Sequence, residues 1–318
     1  MSWANRDSMR KDVVLSLDIG GTKTTAAVVA VGAETPVILG EATVPTPSQQ
    51  GASAVLSHAF DAADRAVQAA SCTWGQLAAV GIAAAGVIDP HNGTVTHATD
   101  AITGWAGTDL VAAFQQKITR PVRALNDVHA HGLGEARFGV GKAAHSLLLV
   151  AVGTGVGGCQ VIAGSPVRGA RGAAGHLGHI PVSEALDLPC PCGGIGHLEA
   201  VASGPAILAQ AQRLGYTATD GKELAARARD GLEPALQAYR TAGLATGRVI
   251  GGLLNTMDVD LIALTGGVIG ASADWRASLQ AGIRQEAMDI VASTPIYDAT
   301  LGVRAALFGA ASYALDHI

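Results

Sequence analysis

Positive charge, cysteine and long apolar runs are all scarce in this chain, and each scarcity removes a class of function. Lys and Arg number 21 against 26 Asp and Glu, a formal net charge of −5 over 318 residues. That balance argues against a broad electrostatic grip on nucleic acid or on an anionic membrane surface. No apolar run reaches the roughly 18 residues that a membrane span needs. The first eleven residues, M-S-W-A-N-R-D-S-M-R-K, are polar and lack the apolar core of a secretory signal, so a cytoplasmic location is the expectation. Charged residues make up only 15% and hydrophobic residues 49%, which excludes a disordered chain. The length suffices for two domains with substantial cores, and no low-complexity linker separates them.

Only four cysteines occur. Cys72 and Cys159 sit in apolar surroundings and read as packing residues. Cys190 and Cys192 are too close for an ordinary structural disulfide. Paired cysteines beside histidines in a cytosolic chain read better as a metal site.

Glycine, by contrast, is abundant, with 41 residues. Two glycine-rich turns stand out: D-I-G-G-T-K-T-T (Asp18 to Thr25) and V-G-T-G-V-G-G (Val152 to Gly158). Each follows a short apolar run and leads into a second β-branched run, giving strand, glycine turn, strand twice, about 135 residues apart. Glycines let several backbone N–H groups converge on an anion, which suits a phosphate. A tight hairpin is the plainer reading of either turn alone. Gly153, Gly155 and Gly158 also match G-x-G-x-x-G, but that dinucleotide fingerprint needs a helix at the glycines and an acidic residue about 20 positions on. Here a strand-like run follows, and the later region holds His176 and His179.

The densest chemistry lies in 165–200, which has little regular pattern. His179, Cys190, Cys192 and His197 stand at separations of 11, 2 and 5. Two thiolates and two imidazoles can close a tetrahedral Zn²⁺ site. Gly193, Gly194 and Gly196 let the loop fold back. A loop with reduced cysteines and surface histidines is the alternative.

Elsewhere the order is α/β. Strands are expected at 12–18, 24–31, 37–44, 78–84, 121–125, 146–152, 156–163 and 260–265. Helices are expected at 52–70, 109–118, after Asn126-Asp127, over most of 205–257, at 272–288 and at 302–315. Taken alone, Asn126-Asp127 is a plain helix cap.

Asp18-Ile19-Gly20-Gly21-Thr22-Lys23, Asn126-Asp127, Gly153 to Gly158, Gly175-His176-Leu177-Gly178-His179, the Cys190-to-Glu199 segment and Gly266-Gly267 together resemble the ROK family of sugar kinases and sugar-responsive repressors. The resemblance runs from Asp18 to about Leu315. It implies an actin-like (ribonuclease H-like) α/β fold of two lobes around a cleft. The lobes would be 1–124, completed by a final helix at about 300–318, and 125–299. It also implies transfer of the ATP γ-phosphoryl group to the 6-hydroxyl of a hexose. Repressor members carry an added DNA-binding domain, for which a first strand starting near residue 12 leaves no room, so the kinase branch is expected. The implied partners are a sugar and further copies of the chain, as a homodimer or higher oligomer.

The resemblance also assigns roles. Asp127 is the expected catalytic base. Asp18 would orient Mg²⁺ through waters. Gly20, Gly21, Thr22, Lys23 and Thr24, with Gly153, Thr154, Gly155, Gly157 and Gly158, would cradle the phosphates of ATP, and Gly266 and Gly267 would lie near its adenosine. Gly86, Thr99, Asn126, Asp127, His176, His179 and Glu199 are the expected sugar contacts. His179 would hold structural zinc with one ring nitrogen and meet a sugar hydroxyl with the other. Two departures matter. His197 stands where most kinases of the family have a third cysteine. His176 stands where glucose-specific members have Glu, and bacterial N-acetylmannosamine kinases share Gly-His-x-Gly-His. An imidazole can donate to an acetamido carbonyl where a carboxylate cannot. The stretch His97-Ala98-Thr99 before Ile102 and Trp105 resembles the animal N-acetylmannosamine kinases. N-acetylmannosamine is therefore the expected substrate, with glucose or another hexose as the alternative. A non-catalytic sugar-binding regulator conflicts with the intact Asp127 and both turns. A zinc hydrolase conflicts with four protein ligands, which leave no position for water.

Overall fold

The computed structural model describes residues 13–32 and 35–316; the polar tail at 1–11 lies outside them. Two compact units divide the chain. One comprises Met1–His145, Cys159–Ala174 and Thr300–Ile318, the other Ser146–Gly158 and Gly175–Ala299. The strands are β1 (Val13–Ile19), β2 (Lys23–Ala30), β3 (Val37–Pro45), β4 (Ala79–Ala84), β5 (Val87–Ile88), β6 (Val95–His97), β7 (Val122–Asn126), β8 (Ser146–Val152), β9 (Val156–Ile162), β10 (Ser165–Pro166), β11 (Leu261–Thr265) and β12 (Ile296–Asp298). The helices are α1 (Ala52–Ala69), α2 (Leu110–Gln115), α3 (Asp127–Phe138), α4 (Glu199–Ala202), α5 (Gly204–Arg213), α6 (Gly221–Arg229), α7 (Glu233–Met257), α8 (Ala273–Glu286), α9 (Asp289–Ala292) and α10 (Arg304–Leu315).

The first unit is built on a five-stranded sheet in the order β3-β2-β1-β4-β7. β1, β2 and β3 form an antiparallel meander, while β4 and β7 run parallel to β1. This is the ribonuclease H-like arrangement that the resemblance implies. Parallel strands covered on both faces read as continuous apolar runs, and β4, A-V-G-I-A-A, is buried throughout. Helix α10 lies against this sheet so closely that a Cβ at Gly81 would stand 2.1 Å from the Ala310 carbonyl oxygen. The same helix meets α3 through glycine on both sides. A Cβ at Gly309 would fall 1.8 Å from the Ala130 oxygen, and one at Gly134 would fall 2.1 Å from the Ala305 oxygen. Residues 125–145, expected with the second lobe, group with the first unit because α3 is fastened here.

A second sheet has the order β10-β9-β8-β11-β12, with β11 parallel to β8 and β12. In the second unit the long helix α7 packs on α8 along Gly243 and Gly247, whose missing side chains admit the Trp275 and Leu279 carbonyls. Leu148, Val150, Val152, Ile262 and Leu264 of the strands share one core with Trp275, Leu279 and Ile283 of α8. Most expected elements stand within two residues of their bounds. The expected helix at 109–118 shortens to Leu110–Gln115, with Asp109 as its cap. The β5–β6 hairpin, β10, β12 and the one-turn helices α4 and α9 are additions. No helix among the described residues is long and apolar enough to cross a membrane.

Candidate active site

The parallel strands of the first unit end together, where ligands of open α/β sheets bind. Asp18 of β1 is in register with Ala83 of β4, and Ala84 with Asn126 of β7. Asp18, Gly86 and the Asn126-Asp127 pair therefore gather at one sheet edge. Asn126 holds the group together. Its Nδ2 donates to the Gly86 oxygen at 3.0 Å and to Asp127 Oδ1 at 2.8 Å. Its Oδ1 accepts from the backbone N–H groups of Val128 (2.9 Å) and His129 (3.2 Å), so it caps α3. Asp127 Oδ1 also accepts from Val128 N at 2.8 Å. The cap reading of this pair is thus satisfied by Asn126, and it fixes the orientation of the carboxylate beside it. Gly86 has φ +98°, and a Cβ there would lie 2.7 Å from the His97 carbonyl oxygen, so only glycine fits.

Asp18 is pushed up to about 7, first by burial, then by the Asp127 carboxylate, with Lys23 opposing. The first glycine turn closes with Gly20 N donating to the Lys23 oxygen at 3.1 Å. Thr22 and Lys23 are exposed, and Gly21 lies near Ala101. Thr24 is buried, its hydroxyl paired with that of Thr46 at 2.8 Å. Thr99 is exposed. Ile102 and Trp105 are core residues, the Trp105 indole donating to the Ala85 oxygen at 3.0 Å. His129, which no sequence motif singles out, is buried, with Nε2 2.7 Å from the Ala174 oxygen.

In the second unit the turn between β8 and β9 shows that its glycines do different work. A Cβ at Gly153 would meet nothing within 4 Å, so this residue faces open space, as does Gly267. Gly155 makes room for a protein carboxylate: a Cβ there would be 2.9 Å from Glu199 Oε2. Gly158 is a packing residue, since its Cβ would strike Leu177 Cδ2 at 2.2 Å. Gly157 lies between them in β9, and a strand, not a helix, follows the glycines. Gly266, at φ +104°, lets the chain pass Val152, where a Cβ would be 2.2 Å from the carbonyl oxygen. Thr154 is exposed.

The histidines and cysteines converge. His176 and His179 stack with ring centroids 6.1 Å apart, and His179 and His197 lie at 5.6 Å. One ligand atom from each of His179, Cys190, Cys192 and His197 falls within 4.8 Å of every other. Cys190 Sγ is 3.6 Å from His179 Nδ1, and Cys192 Sγ is 3.2 Å from His197 Nδ1. A tetrahedron with metal–sulfur bonds of about 2.3 Å and metal–nitrogen bonds of about 2.0 Å has edges of roughly 3.3–3.8 Å; the Cys190–His179 pair matches that range and the Cys192–His197 pair is slightly shorter, so these four residues could hold a metal ion. The loop is folded by bridges between Pro181 and His197 and between Pro189 and Ile195. At Gly194 a Cβ would lie 2.5 Å from His197 Cε1, so a side chain there would push the His197 ring from its place beside Cys192. Burial holds the His179 imidazole below its ordinary value, with Glu199 opposing and His176 and His197 adding to the depression. Burial also pushes the Cys190 thiol up to about 11, which a bound cation would reverse. Glu199 opens α4, and its Oε2 accepts from Val156 N at 2.8 Å. No sequence pattern signals that link, because the partners are 43 residues apart.

Residues 14–317 match the ROK family. A glucokinase of Streptomyces coelicolor is 30% identical over 329 residues, covering 96% of this chain and 98% of that one. An N-acetylmannosamine kinase of Shigella flexneri is 30% identical over 300 residues, covering 91% and 95%. Among solved structures, a ROK family glucokinase from Streptomyces griseus, in complex with glucose and AMPPNP, superposes with a TM-score of 0.79 at 29% identity, covering 96% of this chain and 99% of that one. With the family match spanning nearly its whole length, and the fold and the paired glycine turns in agreement with it, the chain belongs to the ROK family.

Proposed function

We propose that this ROK sugar kinase transfers the γ-phosphoryl group of ATP to the 6-hydroxyl of N-acetylmannosamine. The observation that carries the reading is the Asp127 carboxylate, held at the carboxyl ends of β1, β4 and β7 by the Asn126 amide and the first turn of α3. A sugar hydroxyl is a poor nucleophile, and phosphoryl transfer depends on positioning and charge stabilisation. Asp127 orients the 6-hydroxyl and takes its proton as that oxygen bonds to the γ-phosphorus. The bond from phosphorus to the bridging oxygen breaks, and ADP leaves. In the first unit the Gly20 to Lys23 turn is assigned to phosphate; in the second unit the open backbone at Gly153 and Thr154 is assigned to phosphate, and Gly266 and Gly267 to the adenosine. Mg²⁺, oriented by Asp18 through water, would neutralise phosphate charge.

Zn²⁺ suits the two-thiol, two-imidazole cluster and would stiffen a loop that has no core of its own. His179 turns Nδ1 toward Cys190, so Nε2 is the nitrogen assigned to a sugar hydroxyl. His176 supports the choice of sugar. A neutral imidazole donates to an acetamido carbonyl, whereas the Glu of glucose-specific members accepts from hydroxyls. Glucose is the second reading, favoured by the glucokinase relatives. A coupled ADP-release assay over a panel of hexoses and N-acetylhexosamines decides between them. Preference for N-acetylmannosamine is expected; preference for glucose would remove the finer assignment.

A further inference from the structure

The second glycine turn is gripped from two sides by the short stretch 199–204, where α4 gives way to α5. Gly204 N donates to the Gly153 oxygen at 2.8 Å, on the entry side of the turn. On the exit side, Val156 N donates to Glu199 Oε2 at 2.8 Å. Glu199 begins α4, and Gly204 begins α5 after Ser203, so the two grips flank one helical turn. Inside the turn, Gly153 N donates to the Gly155 oxygen at 2.9 Å. Thr154 and Gly155, both exposed, are what the turn presents outward. The carboxylate sits so close that Gly155 has no space for a side chain on that face. Its other oxygen, Oε1, accepts no hydrogen bond among the described residues.

We infer that Glu199 is a positioning residue for the nucleotide: its carboxylate sets the shape of the phosphate-binding turn, so that what occupies the sugar side of this group changes ATP affinity. The inference rests on the kinase reading above and deepens it. A charged acceptor on a backbone N–H is a stronger tie than a neutral one. Because the carboxylate has two oxygens, one can hold Val156 while the other meets a sugar hydroxyl, and a sugar that draws the carboxylate moves the turn. The cysteine–histidine loop joins the same linkage, because His197 precedes Glu199 by two residues and Leu198 N donates to the Ile180 oxygen at 2.9 Å.

Calorimetric titration of AMPPNP into sugar-free protein tests this. Glu199→Ala should weaken binding by about 5- to 20-fold, the share of a charged hydrogen bond's worth that reaches the ligand. Glu199→Gln, whose amide oxygen can still accept from Val156 N, should restore most of it. Gly155→Ala keeps the charge but drives the carboxylate off Val156, and it should weaken AMPPNP to a similar degree. In the Glu199→Ala background the same Gly155→Ala change should cost nothing further, because the clash is gone. If Glu199→Ala and Gly155→Ala both bind AMPPNP as wild type does while the KM for sugar rises, Glu199 serves the sugar alone and the inference falls. Wild-type protein that neither binds AMPPNP nor phosphorylates any sugar would instead bring down the kinase reading, and the inference with it.

Discussion

Asn126 is the residue where two functions can be separated by two substitutions. Its amide makes four hydrogen bonds: as donor to Gly86 O and Asp127 Oδ1, and as acceptor from Val128 N and His129 N. Asn126→Ala removes the helix cap along with both donor contacts. Losing a cap costs about 0.5–2 kcal/mol, which corresponds to a fall in Tm of roughly 1–8 °C for a protein of this size. Asn126→Asp keeps the acceptor and therefore the cap, but replaces the donor facing Asp127 with a second carboxylate 2.8 Å away. Two carboxylates so close cannot both ionise freely, and one is raised. Asn126→Asp should therefore melt nearer to wild type than Asn126→Ala does. Its activity should fall more than tenfold at pH 7 and recover as pH rises, because the base is protonated more readily. Calorimetric melting and kcat/KM from pH 5.5 to 9 supply both readings. An acid limb that does not move in Asn126→Asp would mean that Asn126 does not tune Asp127, and the argument that it fixes the base would fail.

Three further outcomes are expected. Purified, tag-free protein should hold about one zinc per chain, by the four-ligand count, and His197→Cys should keep it; metal analysis showing no zinc with both thiols titratable would refute the site. His176→Glu should set two acceptors against each other. It should lower kcat/KM for N-acetylmannosamine relative to glucose by about 5- to 150-fold, the range of a buried mismatch, and an unchanged ratio would remove His176 from selectivity. Asp18, raised to about 7 from 3.8, holds its proton more tightly folded than unfolded. Stability is therefore lost as pH rises from about 4 to 7 and stays lower above that. Asp18→Asn should raise the Tm of metal-free protein more at pH 8 than at pH 5, and equal shifts at both would contradict the burial argument.

Local signals in the chain were informative where they depended on neighbours. The apolar and β-branched runs beside the glycines mark β1, β2, β8 and β9, and the 11-2-5 spacing marks the residues that meet as a cluster. What depended on distant partners was not legible. Gly153, Gly155 and Gly158 look alike in V-G-T-G-V-G-G, yet one is open, one shelters the Glu199 carboxylate and one is filled by Leu177. Gly134 and Gly309 read as ordinary helix glycines, and only their meeting across 175 positions explains why α3 belongs to the first unit. The β5–β6 hairpin escaped because strands of two and three residues carry no periodicity. Trp105 and Ile102 stood beside the expected sugar contacts, but their size took them into the core.

The central claim is that Asp127 is the base of a sugar 6-kinase, and Asp127→Asn tests it most directly. The substitution is isosteric and leaves the Asn126 cap in place. With the best sugar of the panel at saturation, kcat should fall by about 10²–10⁴-fold, the usual contribution of a positioned base, while sugar binding measured by calorimetry persists. A variant that retains half of the wild-type kcat would show that the proton is taken elsewhere.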